Sequence, residues 1–169
     1  TEANAALDFK NTNCWIFGLK EIAEKQNYDF QTEIIPFILE SNLSAKNIAS
    51  SNTLFVSTKE AEAIKLFKNT FLAVKVGFCN EFFRFCEANA INYNTVIEGS
   101  TMDPRITKSH TTVPGPNGKF GFGGTCFPKD ISSLQYQLSS VNVPSPIVDA
   151  VIERNNMLDR KEQDWKSDT

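Results

Sequence analysis

The sequence predicts a mainly α fold, built on one long central helix with shorter helices around it and a small β remnant near the N-terminus. Three observations support this. Between residues 57 and 89 no proline and a single glycine interrupt a series of apolar residues at helical steps. Pro128 and Ser145-Pro146 open two further segments of helical period, because proline is favoured at the first helical position, where its missing N–H is not needed. Only 14–17 (CWIF) and 53–56 (TLFV) have the short, aromatic and β-branched character of strands.

Taken in order, residues 1–56 are weakly patterned. Gly18 closes the CWIF run, which lacks an evident neighbour to pair with, and the apolar stretch 32–41 is broken by Pro36. Ser57 with Glu60 then makes a capping box that starts the long helix. Ile64, Phe67, Phe71, Val74, Phe78 and Phe85 recur at steps of three, four and seven, while Leu66, Leu72, Val76 and Phe83 carry apolar surface to other faces. Such a helix runs on the order of 45 Å, against a radius of gyration of roughly 15 Å for a compact chain of this length. It is therefore expected to meet a second copy, as a homodimer. A short helix over 94–98 ends at Gly99. Residues 103–125 hold five glycines and three prolines and read as a loop. Helices follow from Pro128 to about Leu138, and from Ser145 through Ile147, Val151 and Leu158 toward Trp165.

The 169 residues make one ordinary domain. With 17 Lys and Arg against 20 Asp and Glu, a net charge of -3 and a pI near 5.2, there is no cationic excess to displace counterions from a phosphate backbone, so no nucleic acid is expected as a partner. The most apolar stretch, 71–83, is interrupted by Lys75, Asn80 and Glu81, short of the roughly 18 apolar residues of a membrane span. No membrane association and no signal peptide are expected. The start at Thr1, without Met, reads as a processing or expression boundary.

Four cysteines (Cys14, Cys79, Cys86, Cys126) form no C-x-x-C pair and His110 is the single histidine, so no metal site is expected. Cys79 and Cys86 lie seven apart on one helix, about 10 Å along its axis, beyond disulfide reach. Free thiols suit a reducing, cytoplasmic setting. Chemistry concentrates in 123–130, GGTCFPKD. There Cys126 sits between a glycine-rich loop, which lets a ligand approach the backbone, and a helix N-terminus whose dipole favours a thiolate. That dipole is worth about 0.3–1 kcal/mol, against about 1.4 per pKa unit, and a thiol buried in a turn is the competing reading. The glycines match neither the dinucleotide nor the P-loop pattern. Lys65 and Asn69, four apart, put two polar heads on one face of an otherwise apolar helix; the alternative pairs Lys65 with Glu62 and leaves Asn69 in water. His110 lies in a polar loop and reads as solvated. A cysteine hydrolase pairing Cys126 with His110 lacks an orienting third group.

Taken together, EAIKLFKNTFLA at 62–73, Asn80-Glu81, DPRI at 103–106 and GFGGTCFPKD at 121–130 resemble, in order and spacing, the UDP-glucose/GDP-mannose dehydrogenase family. The likeness is best over about 57–138. It implies that 1–56 are the end of a nucleotide-binding domain and a connector, and that 57–169 are the helical central and dimerisation domain, like the C-terminal domain of 6-phosphogluconate dehydrogenase. Asn155 and Arg160 weakly echo that domain's closing helix. The family oxidises a sugar C6 alcohol to a carboxylate with two NAD. By resemblance Cys126 attacks the aldehyde intermediate, Asp130 assists the water, Lys65 and Asn69 hold the C6 oxyanion and bind substrate, and Glu2 helps proton transfer. Arg105 would reach a sugar nucleotide across the dimer, with Phe120 and Gly123 also on the substrate side and Lys129 toward the cofactor. Thr107 stands where the family usually has glycine. NAD is expected to be held by a domain outside this chain, which alone should make no NADH. The competing reading from another class is a non-catalytic dimerisation module derived from such an enzyme.

Overall fold

The computed structural model describes residues 5–20 and 24–166, which form two compact units divided after Lys65. In the first unit lie α1 (Ala5–Lys10), β1 (Trp15–Leu19), α2 (Glu24–Asp29), α3 (Ile35–Ser44), β2 (Thr53–Ser57) and the opening of α4 (Thr58–Ala88). The CWIF run does have a neighbour: β1 and β2 pair in parallel, from Trp15 opposite Thr53 to Leu19 opposite Ser57. Parallel strands require a long crossover rather than a hairpin, so no turn signal beside β1 could have pointed to its partner. Nor does Pro36 break the stretch around it. One π turn (Phe30–Ile34) runs into α3, and Pro36 falls in the first turn of α3, where the widened helix accommodates a residue without an N–H. Ile35, Leu39 and Ile48 form the buried core, and Trp15, Phe17, Phe30 and Phe55 pack on it. Phe17 stacks on its cross-strand partner Phe55 at 5.5 Å between ring centroids.

The capping box at the head of α4 forms as read: the Ser57 amide donates to Glu60 Oε2 at 2.7 Å and the Glu60 amide donates to Ser57 Oγ at 3.2 Å. The second unit holds the rest of α4 with α5 (Tyr93–Ser100), α6 (Cys126–Ser140) and α7 (Pro146–Arg154). Two cores flank α4 there. Ala73, Phe122, Ile131 and Val148 join it to α6 and α7, with Val76, Phe127, Leu134 and Val151 around them. Cys79, Cys86, Tyr93 and Val113 join it to α5 and the loop, and both thiols are free. Phe67, Phe71, Phe78 and Phe85 belong to neither core and stay exposed, Phe71 at 60% and Phe78 at 64%. Their steps of four, seven and seven follow the repeat by which one helix seats along another. Among the described residues no helix is long and apolar enough to cross a membrane.

Several boundaries differ from the sequence reading, and β1 is the first: it runs through Gly18 to Leu19, because its ladder with β2 extends to Ser57. Helix α5 starts at Tyr93 rather than 94, because the Asn92 side chain accepts from the Thr95 amide and caps it. Helix α6 starts at Cys126, two residues ahead of Pro128, which still falls in the first turn, where backbone amides need no helical partner. Helix α7 stops at Arg154 rather than near Trp165. A π turn over Asn155–Asp159 replaces it, closed by the Arg160 amide donating to the Asn155 carbonyl at 2.7 Å.

Candidate active site

Helix α6 delivers the thiol and a carboxylate from one end. Cys126 is its first residue and is exposed; Asp130 follows one turn later and is 4% exposed. A buried carboxylate must have its charge and lone pairs met, and neighbouring polar groups contribute to that here. Asn69 Nδ2, from α4, donates to Asp130 Oδ2 at 2.5 Å, and Lys129 Nζ meets Oδ1 at 2.7 Å. The polar head in the middle of α4 thus has a buried acid as its counterpart, which answers why an otherwise apolar face carries Asn69. Lys65 lies one turn N-terminal of Asn69 on α4 and is exposed. Glu2 lies outside the described residues.

The remaining candidates are spread along the loop before α6. Arg105 is exposed and folds back on its neighbour, with Nε at 3.0 Å from both oxygens of Asp103. Those bonds hold the Asp103 carboxyl below its ordinary range. Phe120 packs on Phe83, with ring centroids 5.7 Å apart, and lies under the Arg84 guanidinium at 4.3 Å. Thr107, which replaces the family's usual glycine, takes Lys75 Nζ on its carbonyl at 2.5 Å and on its hydroxyl at 3.2 Å. His110 is exposed and lays its ring near Phe127, at 5.6 Å. A hollow of about 700 Å³ bordered by Gly124, Thr125, Lys129, Arg160 and Trp165 lies against the first turn of α6.

What the sequence did not disclose is how the glycine loop is held. Asn80, buried on α4, accepts the Gly121 amide on Oδ1 at 3.1 Å and donates to the Val76 carbonyl at 2.8 Å. Asn155, 2% exposed, takes both backbone groups of Phe122, accepting its N–H at 2.8 Å and donating to its carbonyl at 3.0 Å. Arg160 forks onto Asp164 at 3.0 and 2.9 Å, and Lys119 at the head of the loop reaches the same carboxylate at 2.8 Å. A bidentate asparagine has no periodicity or spacing by which to be read; the buried amides in an apolar helix, Asn80 above all, were the available signal.

Hydrogen bonds from Arg160 and then Lys119 hold the Asp164 carboxyl down at about 2, from 3.8. A carboxyl depressed by folding stabilises the folded state fully above its unfolded value, and that contribution is lost as pH falls through the folded one. The clasp should therefore be complete above pH 3.8 and be lost on descent to about 2. Carbon-13 titration of Asp164 checks this, and a midpoint at the ordinary carboxylate value would show that the clasp is not formed.

The profile of the UDP-glucose/GDP-mannose dehydrogenase family, central domain, matches residues 59–157. UDP-glucose 6-dehydrogenase of Campylobacter jejuni is 36% identical over 118 residues, covering 69% of this chain and 28% of that protein. The UDP-glucose 6-dehydrogenase of Rickettsia bellii is 39% identical over 154 residues, covering 91% of this chain and 32% of that protein. The structure of a UDP-glucose dehydrogenase from the hyperthermophilic archaeon Pyrobaculum islandicum superposes with a TM-score of 0.68 at 25% identity, over 89% of this chain and 30% of that one. The chain belongs to the UDP-glucose/GDP-mannose dehydrogenase family. It spans about a third of the length of the Rickettsia relative and less of the Campylobacter one.

The β2-to-α4 joint among the described residues does not form a dinucleotide cradle. A dinucleotide cradle needs a glycine-rich turn from strand to helix, with free amides facing the pyrophosphate. The joint from β2 into α4 has no glycine, and the Glu60 carboxylate closes its N-terminus and would repel a phosphate. Gly18, within β1, is the sole glycine of residues 1–65.

Proposed function

We propose that this chain is the catalytic and dimerising centre of an enzyme that oxidises the C6 alcohol of a UDP- or GDP-sugar to the carboxylate. Two hydrides, one from the C6 alcohol and one from the thiohemiacetal, would be accepted by NAD, for which the described residues build no strand-to-helix cradle. Cys126 Sγ adds to the C6 aldehyde, forming a C–S bond while the carbonyl oxygen becomes an oxyanion and then a hydroxyl. Lys65 stabilises that oxyanion by charge and Asn69 by hydrogen bonding. After oxidation to the thioester, Asp130 takes a proton from water as the water attacks; the C–S bond breaks, and the carboxylate leaves with the thiol restored.

The observation that carries this reading is the Asn69–Asp130 bond. A pure dimerisation module has no use for a buried carboxylate paired across two helices one turn from an exposed thiol. Arg105 is assigned to the sugar nucleotide of a partner subunit, with Phe120 and Gly123 on the substrate side and Lys129 toward the cofactor. The exposed phenylalanine stripe of α4 is assigned to the second copy. Residues 1–56 are assigned to the nucleotide-binding domain and connector, and residues 57–169 to the helical domain. The test is stoichiometric: in the enzyme form carrying its nucleotide-binding domain, each UDP-glucose consumed should yield two NADH and one acid. A single NADH with accumulating aldehyde would remove the thioester route.

A further inference from the structure

The glycine-rich segment ahead of Cys126 invites reading as a flexible strap that closes on a ligand, yet its close neighbours are side chains of the same chain. A Cβ at Gly121 would run into Asn155 Oδ1 and stand 3.0 Å from Asp159 Cβ; one at Gly123 would lie 2.6 Å from Arg160 Cζ and 2.7 Å from its Nε. Real Cβ contacts are not that short, so these two glycines are absences of side chain that make room for Asn155 and Arg160. Gly124, by contrast, faces open space. Between the two glycines, Phe122 is buried in the core with Ile131 of α6, and both its backbone groups are held by Asn155. Three residues separate Phe122 from Cys126.

The two side chains have a common origin. Asn155 and Arg160 are the ends of one π turn, joined by its closing backbone bond. The extra residue in that turn re-aims the side chains around it relative to an α-helical continuation, and such turns are frequent at functional sites.

We propose that Asn155 and Arg160 are positioning residues: the π turn after α7 clamps Gly121–Gly123 and thereby sets where the chain enters α6 and where the Cys126 thiol stands. This rests on the assignment of Cys126 as nucleophile only for its catalytic consequence; the clamp itself is a statement about this chain. Loosening it displaces the thiol by small amounts, and misplacement of about 1 Å is enough to cost roughly a hundredfold in a reaction that needs near-attack geometry.

The test is a compensation experiment in this 169-residue chain. Gly123 has no positive φ, unlike Gly121 and Gly124, so Gly123→Ala adds bulk against Arg160 without backbone strain. Amide exchange at Gly121 and Phe122 should rise about tenfold or more in Gly123→Ala and in Asn155→Ala, with helix content unchanged. The iodoacetamide rate at Cys126, resolved from Cys14 by peptide mass spectrometry, should shift in the same variants. Arg160→Ala added to Gly123→Ala should restore the alkylation rate toward that of Arg160→Ala alone, because the obstruction is gone; additive losses would overturn the clamp. If Asn155→Ala fails to fold, Asn155→Leu, similar in size but with neither the acceptor nor the donor, decides: exchange at Phe122 equal to wild type refutes the proposal. In the enzyme form with its nucleotide-binding domain, the same variants should lower kcat with KM nearly unchanged. A wild-type kcat in a variant whose exchange and alkylation have both shifted would leave the clamp standing and count against Cys126 as nucleophile.

Discussion

Replacing Cys126 by alanine in the enzyme form that carries its nucleotide-binding domain should reduce acid formation by on the order of 10³-fold or more, the scale of removing a covalent nucleophile. The reason lies in the second oxidation. A free aldehyde has no hydroxyl carbon from which a hydride can leave; adding the thiol supplies one and gives a thioester that water can open. Cys126 is exposed at the first residue of α6, so its truncation leaves no cavity and should not disturb the fold. Melting temperature should match wild type while acid production vanishes. Wild-type turnover in the variant would reduce the thiol to a surface residue and take the covalent route with it.

The second large effect is expected at the α4 face. Phe71→Asp with Phe78→Asp should convert a micromolar dimer into a monomer in sedimentation velocity. Each phenylalanine withdrawn from water is worth about 1.5–3 kcal/mol, and the dimer loses two from each chain, so roughly 6–12 kcal/mol goes, a loss of about 10⁴-fold or more in Kd. Charge placed in the seam adds to that. Both side chains are more than half exposed in the single chain, so circular dichroism should be unchanged and the loss attributable to association. A wild-type chain that sediments as a monomer at micromolar concentration would refute the assignment of this face. Phe67 stacks on Phe71 at 6.0 Å and Phe82 lies 5.4 Å from Phe85, so the stripe is a pre-packed aromatic surface that loses little freedom when a partner covers it.

Helix-forming segments were legible because their information is local. Ser57 and Glu60 lie three apart, and the phenylalanines of α4 mark their own period, so 31 residues of helix follow from neighbours within one or two turns. Boundaries set by a distant or unusual partner were not legible. Residues 15–19 needed a strand nearly forty positions away, and the end of α7 was decided by a π turn whose closing bond leaves no mark on hydrophobic spacing.

The chemistry divides in the same way. Residue identities along the chain determined which groups are present and in what order: a thiol four positions ahead of an acid, an amide on an apolar helix face, glycines before a helix start. That Asn69 meets Asp130 across 61 positions, and that Asn155 grips Phe122 across 33, was decided by packing alone. A hydrogen bond between groups far apart in sequence has no signature in either one's neighbours. It forms because burying an unpaired carboxylate or amide costs more than bringing two elements together to satisfy it.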